Sequence, residues 1–396
     1  MKIGIYGGSF NPPHLGHLAA ARTAVKALGL DLLQVVPAGV PPHKALPEHT
    51  PDKGHRKAMA EIFADQIGPF AQCWDVELER PGRSFTVDTL QAAAVRWPEA
   101  ELYLLMGADM FLSFQSWYQP EEVARRARIV TFGRTGQRQE LEQLQAHKEL
   151  LDKAYGIDCT ILTIPDGVDV SSTQLRQALP KGEGRQWLPK AVYGYLVREG
   201  LYGLHADLRH LDDETLRCVS YSMVRAKRLP HIRGTEQEAV RLAQRWGADV
   251  EEMRRAAILH DCTKYESVER HLAICAQYGI ELDEMERSGE KLLHAKSGAA
   301  LAKYVFGESQ RVFEAILYHT TGRGDMTLEE KLLYLADYIE PCRDFPEVEE
   351  MRRLAYTDLD RAVLMGVELS IQEMVERNRV VHPNTLDAEQ SLRRGA

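Results

Sequence analysis

Near its amino terminus the chain runs from a short apolar stretch, Lys2–Tyr6 (KIGIY), directly into a turn rich in glycine and proline, GGSFNPPH, and then into the Ala-rich stretch His17–Leu28. The first reads as a buried strand, the second as a tight turn and the third as a helix. A strand that empties through glycines into a helix start belongs to a sheet with crossover helices. The pattern repeats downstream. Leu32–Pro37, Leu102–Met106, Arg128–Phe132 and Thr160–Ile164 read as further strands, with helices expected at Pro51–Gln66, Thr86–Arg96, Glu121–Arg126 and Gln137–Ala154. Alternation of this kind predicts a doubly wound α/β domain with a parallel sheet over residues 1–203.

The pattern stops after Tyr202-Gly203. Residues 204–210 read as a linker, and 211–396 as an all-α helical bundle. Thr235–Trp246, Val250–His260, Leu328–Ile339 and Thr357–Glu376 are its clearest amphipathic stretches. The polar tail Leu386–Ala396 is expected to fray. Two domains suit a chain of 396 residues.

Charge separates the halves as well. Residues 1–204 hold 22 basic and 23 acidic side chains, and residues 205–396 hold 27 and 35. Neither half has the basic excess of a general nucleic-acid binder. The six cysteines form no CxxC pair, which argues against a zinc knuckle and for a reducing cytoplasm. No signal peptide and no apolar run long enough to span a membrane is expected. Oligomeric state stays open, and a homo-oligomer is compatible with the sequence.

In the first half, Gly7, Gly8, Ser9 and Phe10 lie where the backbone can approach a phosphate closely. The helix that starts near Gly16 turns its free N–H groups toward the same point. His14 and His17, three residues apart, can face one ligand at the carboxyl end of the strand. A second anion site is expected at Ser171-Ser172-Thr173-Gln174-Leu175-Arg176 (SSTQLR), where Ser172 or Thr173 caps a helix and Arg176 supplies charge.

These segments resemble the nucleotidyl transferases with HxGH and ISSTxxR signatures, and within them the bacterial nicotinate-nucleotide adenylyltransferases. GGSFNPPHLGHL, PPHK (Pro41–Lys44), Arg56 with Met59, SFTVDTL (Ser84–Leu90), the Gly107-Ala108-Asp109 triplet and Trp117-Tyr118 carry the resemblance, with Phe85 where tyrosine is usual. It implies ATP, with Mg²⁺, and nicotinate mononucleotide as partners. It further implies that His14, His17 and Arg176 hold the ATP phosphates, with Ser172 and Thr173 adding contacts at the helix end. Asp109 would meet the nucleotide, Trp117 would stack on the nicotinate ring, backbone near Thr86 and Tyr118 would take its carboxylate, and Lys44 would lie by the substrate phosphate. A class I aminoacyl-tRNA synthetase is disfavoured by the lack of a KMSKS-like element. A pantetheine-phosphate adenylyltransferase leaves PPHK and SFTVDTL unexplained.

The helical half contains His260-Asp261 at the end of a helical run. Alone, that pair is a weak signal and more often an ordinary polar helix end. His231, His294, His319 and Asp337, each in or beside an apolar helical stretch, change the reading, because burying so many polar groups without a shared ligand is costly. Four imidazoles and two carboxylates suffice for two metals, and a set without thiolate suits iron, manganese or cobalt at least as well as zinc. His43, His49, His55, His147, His205, His210, His271 and His382 default to surface or packing roles, apart from His43 in its loop.

The order H…HD…H…H…D resembles the HD superfamily of metal-dependent phosphohydrolases. HDCTK, LLHAKSGA, YHTTGR and LADYIEPCRDFP resemble bacterial members that split diadenosine tetraphosphate symmetrically into two ADP. The resemblance implies two divalent metals, iron foremost, on His231, His260, Asp261, His294, His319 and Asp337. Asp261 and Lys264 would be catalytic, and Lys264 and Arg323 would hold phosphates. Hydrolysis of another phosphorylated nucleotide, or sensing without turnover, are the alternatives for this half.

Overall fold

The computed structural model describes residues 1–40, 47–48, 50–134, 137–157, 159–164 and 170–395. They form two compact units, Met1–His205 and Ala206–Ala396.

The first unit is built on six parallel strands, β1 (Lys2–Gly8), β2 (Leu32–Pro37), β3 (Ala71–Cys73), β4 (Glu101–Met106), β5 (Arg128–Arg134) and β6 (Thr160–Ile164). Their order in the sheet is β3-β2-β1-β4-β5-β6. The chain reverses its direction of winding at β1, which pairs with β2 on one side and β4 on the other, so ligands are expected at the carboxyl end of β1. Successive β1 side chains enter opposite cores. Ile3 and Ile5 pack with Leu90, Leu104 and Phe114, while Tyr6 packs with Phe10, Leu18 and Phe63. That double burial is why the strands read as unbroken apolar runs rather than as alternation. β3 has only three residues, too few to leave a pattern, and the sequence reading omitted it.

In the second unit no strand occurs among the described residues. The helix Leu229–Trp246 packs against Val250–Leu259 and Leu328–Ile339. Helix starts carry side-chain caps, Asp249, Ser309 and Thr327 among them, each typically worth about 1 kcal/mol. Two expectations need correction. The helix expected over Val250–His260 ends at Leu259, and residues 260–265 form a run of turns. The tail does not fray: Pro383–Gly395 is a helix that buries Ala388 and Leu392, and the Ser391 hydroxyl donates to Asp325 Oδ1 at 2.7 Å. Its apolar residues are four apart, and that spacing was outweighed in the sequence by the polar residues around them.

Candidate phosphate site and candidate metal centre

β1 delivers the chain to the phosphate turn. A Cβ on Gly7 would meet only open space, whereas one on Gly8 would press on the Phe10 ring at 3.2–3.4 Å. Phe10 itself is a core side chain at φ 43°, packed on Tyr6, His17 and Phe63, so only its backbone is available to a ligand. Asn11 is buried beyond the turn and ties distant segments together. Its Nδ2–H donates to Thr50 Oγ1 (2.8 Å), and its Oδ1 accepts from the Tyr202 hydroxyl (2.5 Å).

His14 is the N-cap of the helix Leu15–Leu28 and shares a reciprocal capping box with His17. The His17 N–H donates to His14 Nδ1 (3.4 Å), and the His14 N–H donates to His17 Nδ1 (3.2 Å). Each Nδ1 is therefore an acceptor. Burial, with Arg134 nearby, lowers the His14 pKa to about 4. Burial and the neighbouring His14 hold His17 well below the ordinary histidine range. A neutral imidazole that accepts at Nδ1 carries its proton on Nε2. Two fixed Nε2–H donors suit an anion.

The SSTQLR segment folds back onto this turn. Ser172 Oγ donates to the Pro12 carbonyl (3.0 Å), and Arg176 donates to the Asn11 carbonyl (2.7 Å) and to Thr173 Oγ1 (3.0 Å). The cap of the helix Ser172–Ala178 is Ser171, not Ser172 or Thr173 as the sequence reading had it. Gln174 closes the capping box with Ser171, an S-x-x-Q pattern that the sequence displays. Ser172 and Thr173 are thereby left to contact Pro12 and Arg176.

The remaining candidates lie on other segments of the unit. Thr86 opens the helix Thr86–Arg96, and the Phe85 ring lies 4.5 Å from that of Tyr118, so SFTVDTL and Trp117-Tyr118 are neighbours. Trp117 is half-buried against Phe114, and Asp109 is exposed in the short helix Ala108–Leu112. Lys44 lies outside the described residues.

In the helical unit, His231, His260, Asp261, His294, His319 and Asp337 converge. His231 and His260 approach Nε2 to Nε2 at 3.2 Å, and so do His294 and His319. Asp261 stands between the pairs, with Oδ2 3.5 Å from His260 Nε2 and Oδ1 3.2 Å from His294 Nε2. Two groups of possible metal ligands result, His231–His260–Asp261 and Asp261–His294–His319, sharing the one carboxylate. Asp337 Oδ1 lies 3.0 Å from His231 Nε2.

The far sides of these rings set their tautomers. His260 Nδ1 and His319 Nδ1 each donate to a backbone carbonyl at 2.7 Å, Ala257 and Ile316 respectively, and His231 Nδ1 donates to Glu340 Oε1 at 3.0 Å. The Lys264 ammonium, which can only donate, meets His294 Nε2 at 3.0 Å. All four Nε2 atoms therefore turn lone pairs into the centre. Burial lowers His260, His294 and His319 to about 4 each. Burial works to raise Asp261 and Asp337, but the cations beside them, Lys264 at Asp261 and Arg343 at Asp337, help to hold both carboxyls well below their usual range. Buried lone pairs and carboxylates facing one another call for cations between them, and imidazole–carboxylate donors fit divalent metals.

The sequence reading missed three groups here. Arg228 reaches Asp261 Oδ2 at 2.5 Å, Glu340 orients His231, and Arg343 donates to Asp337 Oδ1 at 2.8 Å. Arg228 and Glu340 each sit three residues from a candidate ligand, a spacing that could have exposed them. Lys264 is in place, but in a turn rather than one helical turn beyond His260. Arg323 has partners of its own: its guanidinium is held by the buried Glu330 (2.8 Å) and lies against the Tyr318 ring.

The fold and the two sites define an α/β unit with donors at the switch point of its sheet, joined to a helical unit of the metal-binding kind. Comparison with known proteins agrees. Residues 5–178 match the Cytidylyltransferase-like family, and residues 228–342 match the HD domain. A probable nicotinate-nucleotide adenylyltransferase of Gemmatimonas aurantiaca is 36% identical over 203 residues, 51% of this chain and 92% of that protein. The symmetrical bis(5′-nucleosyl)-tetraphosphatase of Bacillus subtilis is 37% identical over 174 residues, 44% of this chain and 92% of that protein. A crystal structure of a predicted HD superfamily hydrolase involved in NAD metabolism from Clostridium acetobutylicum shares 36% identity. It covers 47% of this chain and 99% of its own, with a TM-score of 0.46. The chain belongs to the nicotinate-nucleotide adenylyltransferase family through its first half, fused to an HD-superfamily hydrolase domain. Among the described residues, no helix is long and apolar enough to cross a membrane.

Proposed function

We propose that the chain is a bifunctional enzyme. The first unit transfers the adenylyl group of ATP, as its Mg²⁺ complex, to nicotinate mononucleotide. The second hydrolyses diadenosine tetraphosphate to two ADP. The observation that carries this reading is the opposite polarity of the two histidine sets, Nε2–H donors at His14 and His17 and Nε2 acceptors at His231, His260, His294 and His319.

In the first reaction an oxygen of the mononucleotide's 5′-phosphate attacks the α-phosphorus of ATP. The bond from that phosphorus to the oxygen bridging it to the β-phosphorus breaks, giving deamido-NAD and pyrophosphate. No protein nucleophile is required. His14, His17 and Arg176 donate to the triphosphate and stabilise charge that builds on it, while Trp117, Thr86 and Tyr118 receive the nicotinate end.

In the second unit, metals held by His231, His260, Asp261, His294, His319 and Asp337 would neutralise phosphate charge and make a water more acidic, with iron foremost and manganese or cobalt as alternatives. Asp261 serves both ligand groups, Glu340 fixes the His231 ring, and Lys264 stands at the edge to meet the phosphates. Addition of water at a phosphorus beside the central bridging oxygen, with cleavage to that oxygen, yields ADP twice. The cysteines, none of which is in a disulfide, fit a cytoplasmic enzyme.

The test is product analysis on the purified chain. ATP with nicotinate mononucleotide should give deamido-NAD and pyrophosphate, and absence of turnover would refute the first half. Diadenosine tetraphosphate with Fe²⁺, Mn²⁺ or Co²⁺ should give ADP alone. ATP plus AMP would contradict symmetrical cleavage, and no product from a metal-loaded chain would shift the reading to another phosphorylated nucleotide.

A further inference from the structure

Exposure around Asp261 is uneven. The four imidazoles and Asp261 are sealed, none more than 6% exposed. Three side chains reach the surface, Arg228 (21%), Asp337 (19%) and Lys264 (30%). Arg228 and Lys264 thus reach from the surface to the two oxygens of Asp261, and Arg343 adds a further cation beside Asp337.

The next residues outward meet each other. Lys227 Nζ lies 5.9 Å from the centroid of the Tyr265 ring, and Tyr265 is 40% exposed. Two separate segments thus repeat one arrangement. Residues 227–228 and 264–265 each place an inner cation on Asp261 and an outer side chain at the surface. This basic mouth stands out in a half with 27 basic against 35 acidic residues. Cations beside an exposed ring match the needs of a nucleoside phosphate, because guanidinium and ammonium groups take phosphate oxygens and an aromatic face takes a base.

We propose that Arg228 joins Lys264 in holding the phosphates, and that Tyr265 stacks on the base, of an adenine nucleotide entering the His/Asp cluster. The proposal rests on reading this unit as a metal-dependent nucleotide hydrolase. Without bound cations, Arg228 and Lys264 neutralise Asp261 from its two oxygens. Once other positive charge satisfies Asp261, both side chains are freed to meet the incoming phosphates.

The experiment uses the full chain carrying His17→Asn and Arg176→Ala, so that the α/β unit does not bind the probes. The chain is loaded with Mn²⁺ and titrated calorimetrically with ADP and with pyrophosphate. Tyr265→Ala should weaken ADP about tenfold, in line with base stacking, and leave pyrophosphate unchanged. Tyr265→Phe should restore ADP affinity, and Arg228→Met should weaken both probes. Unchanged ADP affinity in Tyr265→Ala, or an equal loss for pyrophosphate, would overturn the subsite while leaving the hydrolase reading intact. If the Mn²⁺-loaded parent binds neither probe, the hydrolase reading fails and takes the subsite with it.

Discussion

The two units bury imidazoles alike and turn them to opposite uses. His14 and His260 are both held neutral, near pKa 4, chiefly by burial. At His14 and His17 the partner of Nδ1 is a backbone N–H at a helix start, so the free nitrogen is a donor. At His260 and His319 the partner is a backbone carbonyl three residues back, so the free nitrogen is an acceptor. A helix start has spare N–H groups and a helix end has spare carbonyls. For His14, His17, His260 and His319 the end of the helix therefore sets the tautomer, and with it whether the ring attracts an anion or a cation; His231, in the first turn of its helix, takes its tautomer from Glu340 instead.

The largest effect should come from Asp261→Asn, which removes one oxygen of the carboxylate that both ligand groups share. Hydrolysis should fall by more than about a thousandfold, past the roughly 10–100-fold that outer partners of a metal site are worth. Metal content should drop while adenylyl transfer stays at the parental rate. Loss of both activities would show that the two sites are not independent.

His17→Asn is the reciprocal substitution. It keeps an acceptor near the position of Nδ1 and deletes the Nε2–H. Adenylyl transfer should fall about a hundredfold or more, as for loss of a preorganised donor, with hydrolysis unchanged. A parental rate would mean that His17 caps the helix and does nothing further.

How much of this the residues disclosed differs between the sites. HxGH after a strand marked the phosphate turn, because the glycines, prolines and histidines are contiguous. The reciprocal capping by His14 and His17 was not legible, since histidine is an uncommon cap. In the helical unit the candidate ligands are spread from His231 to Asp337. Spacing alone left His260-Asp261 ambiguous, and the resemblance to HD enzymes joined the set. Arg228, Glu340 and Arg343 stayed hidden because each reads as a solvated charge on a helix or loop. Phe10 sits inside the signature with its ring in the core, which leaves its backbone to the turn.

Smaller effects sharpen the contrast. Glu340→Gln should weaken metal binding about tenfold by loosening the His231 ring, without touching adenylyl transfer. Equilibrium metal titration reads this directly, and an unchanged affinity would leave Glu340 a packing role. Tyr202→Phe removes the hydroxyl that Asn11 Oδ1 accepts from. It should cost the first unit about 1 kcal/mol in denaturant unfolding, with metal affinity unaltered.

The most direct test is ¹⁵N NMR of the histidine rings in the metal-stripped chain, assigned by single substitutions. His14 and His17 should carry Nε2–H, and His260 and His319 Nδ1–H. The same tautomer in both sets would contradict this, because one unit would then present the wrong atom to its ligand.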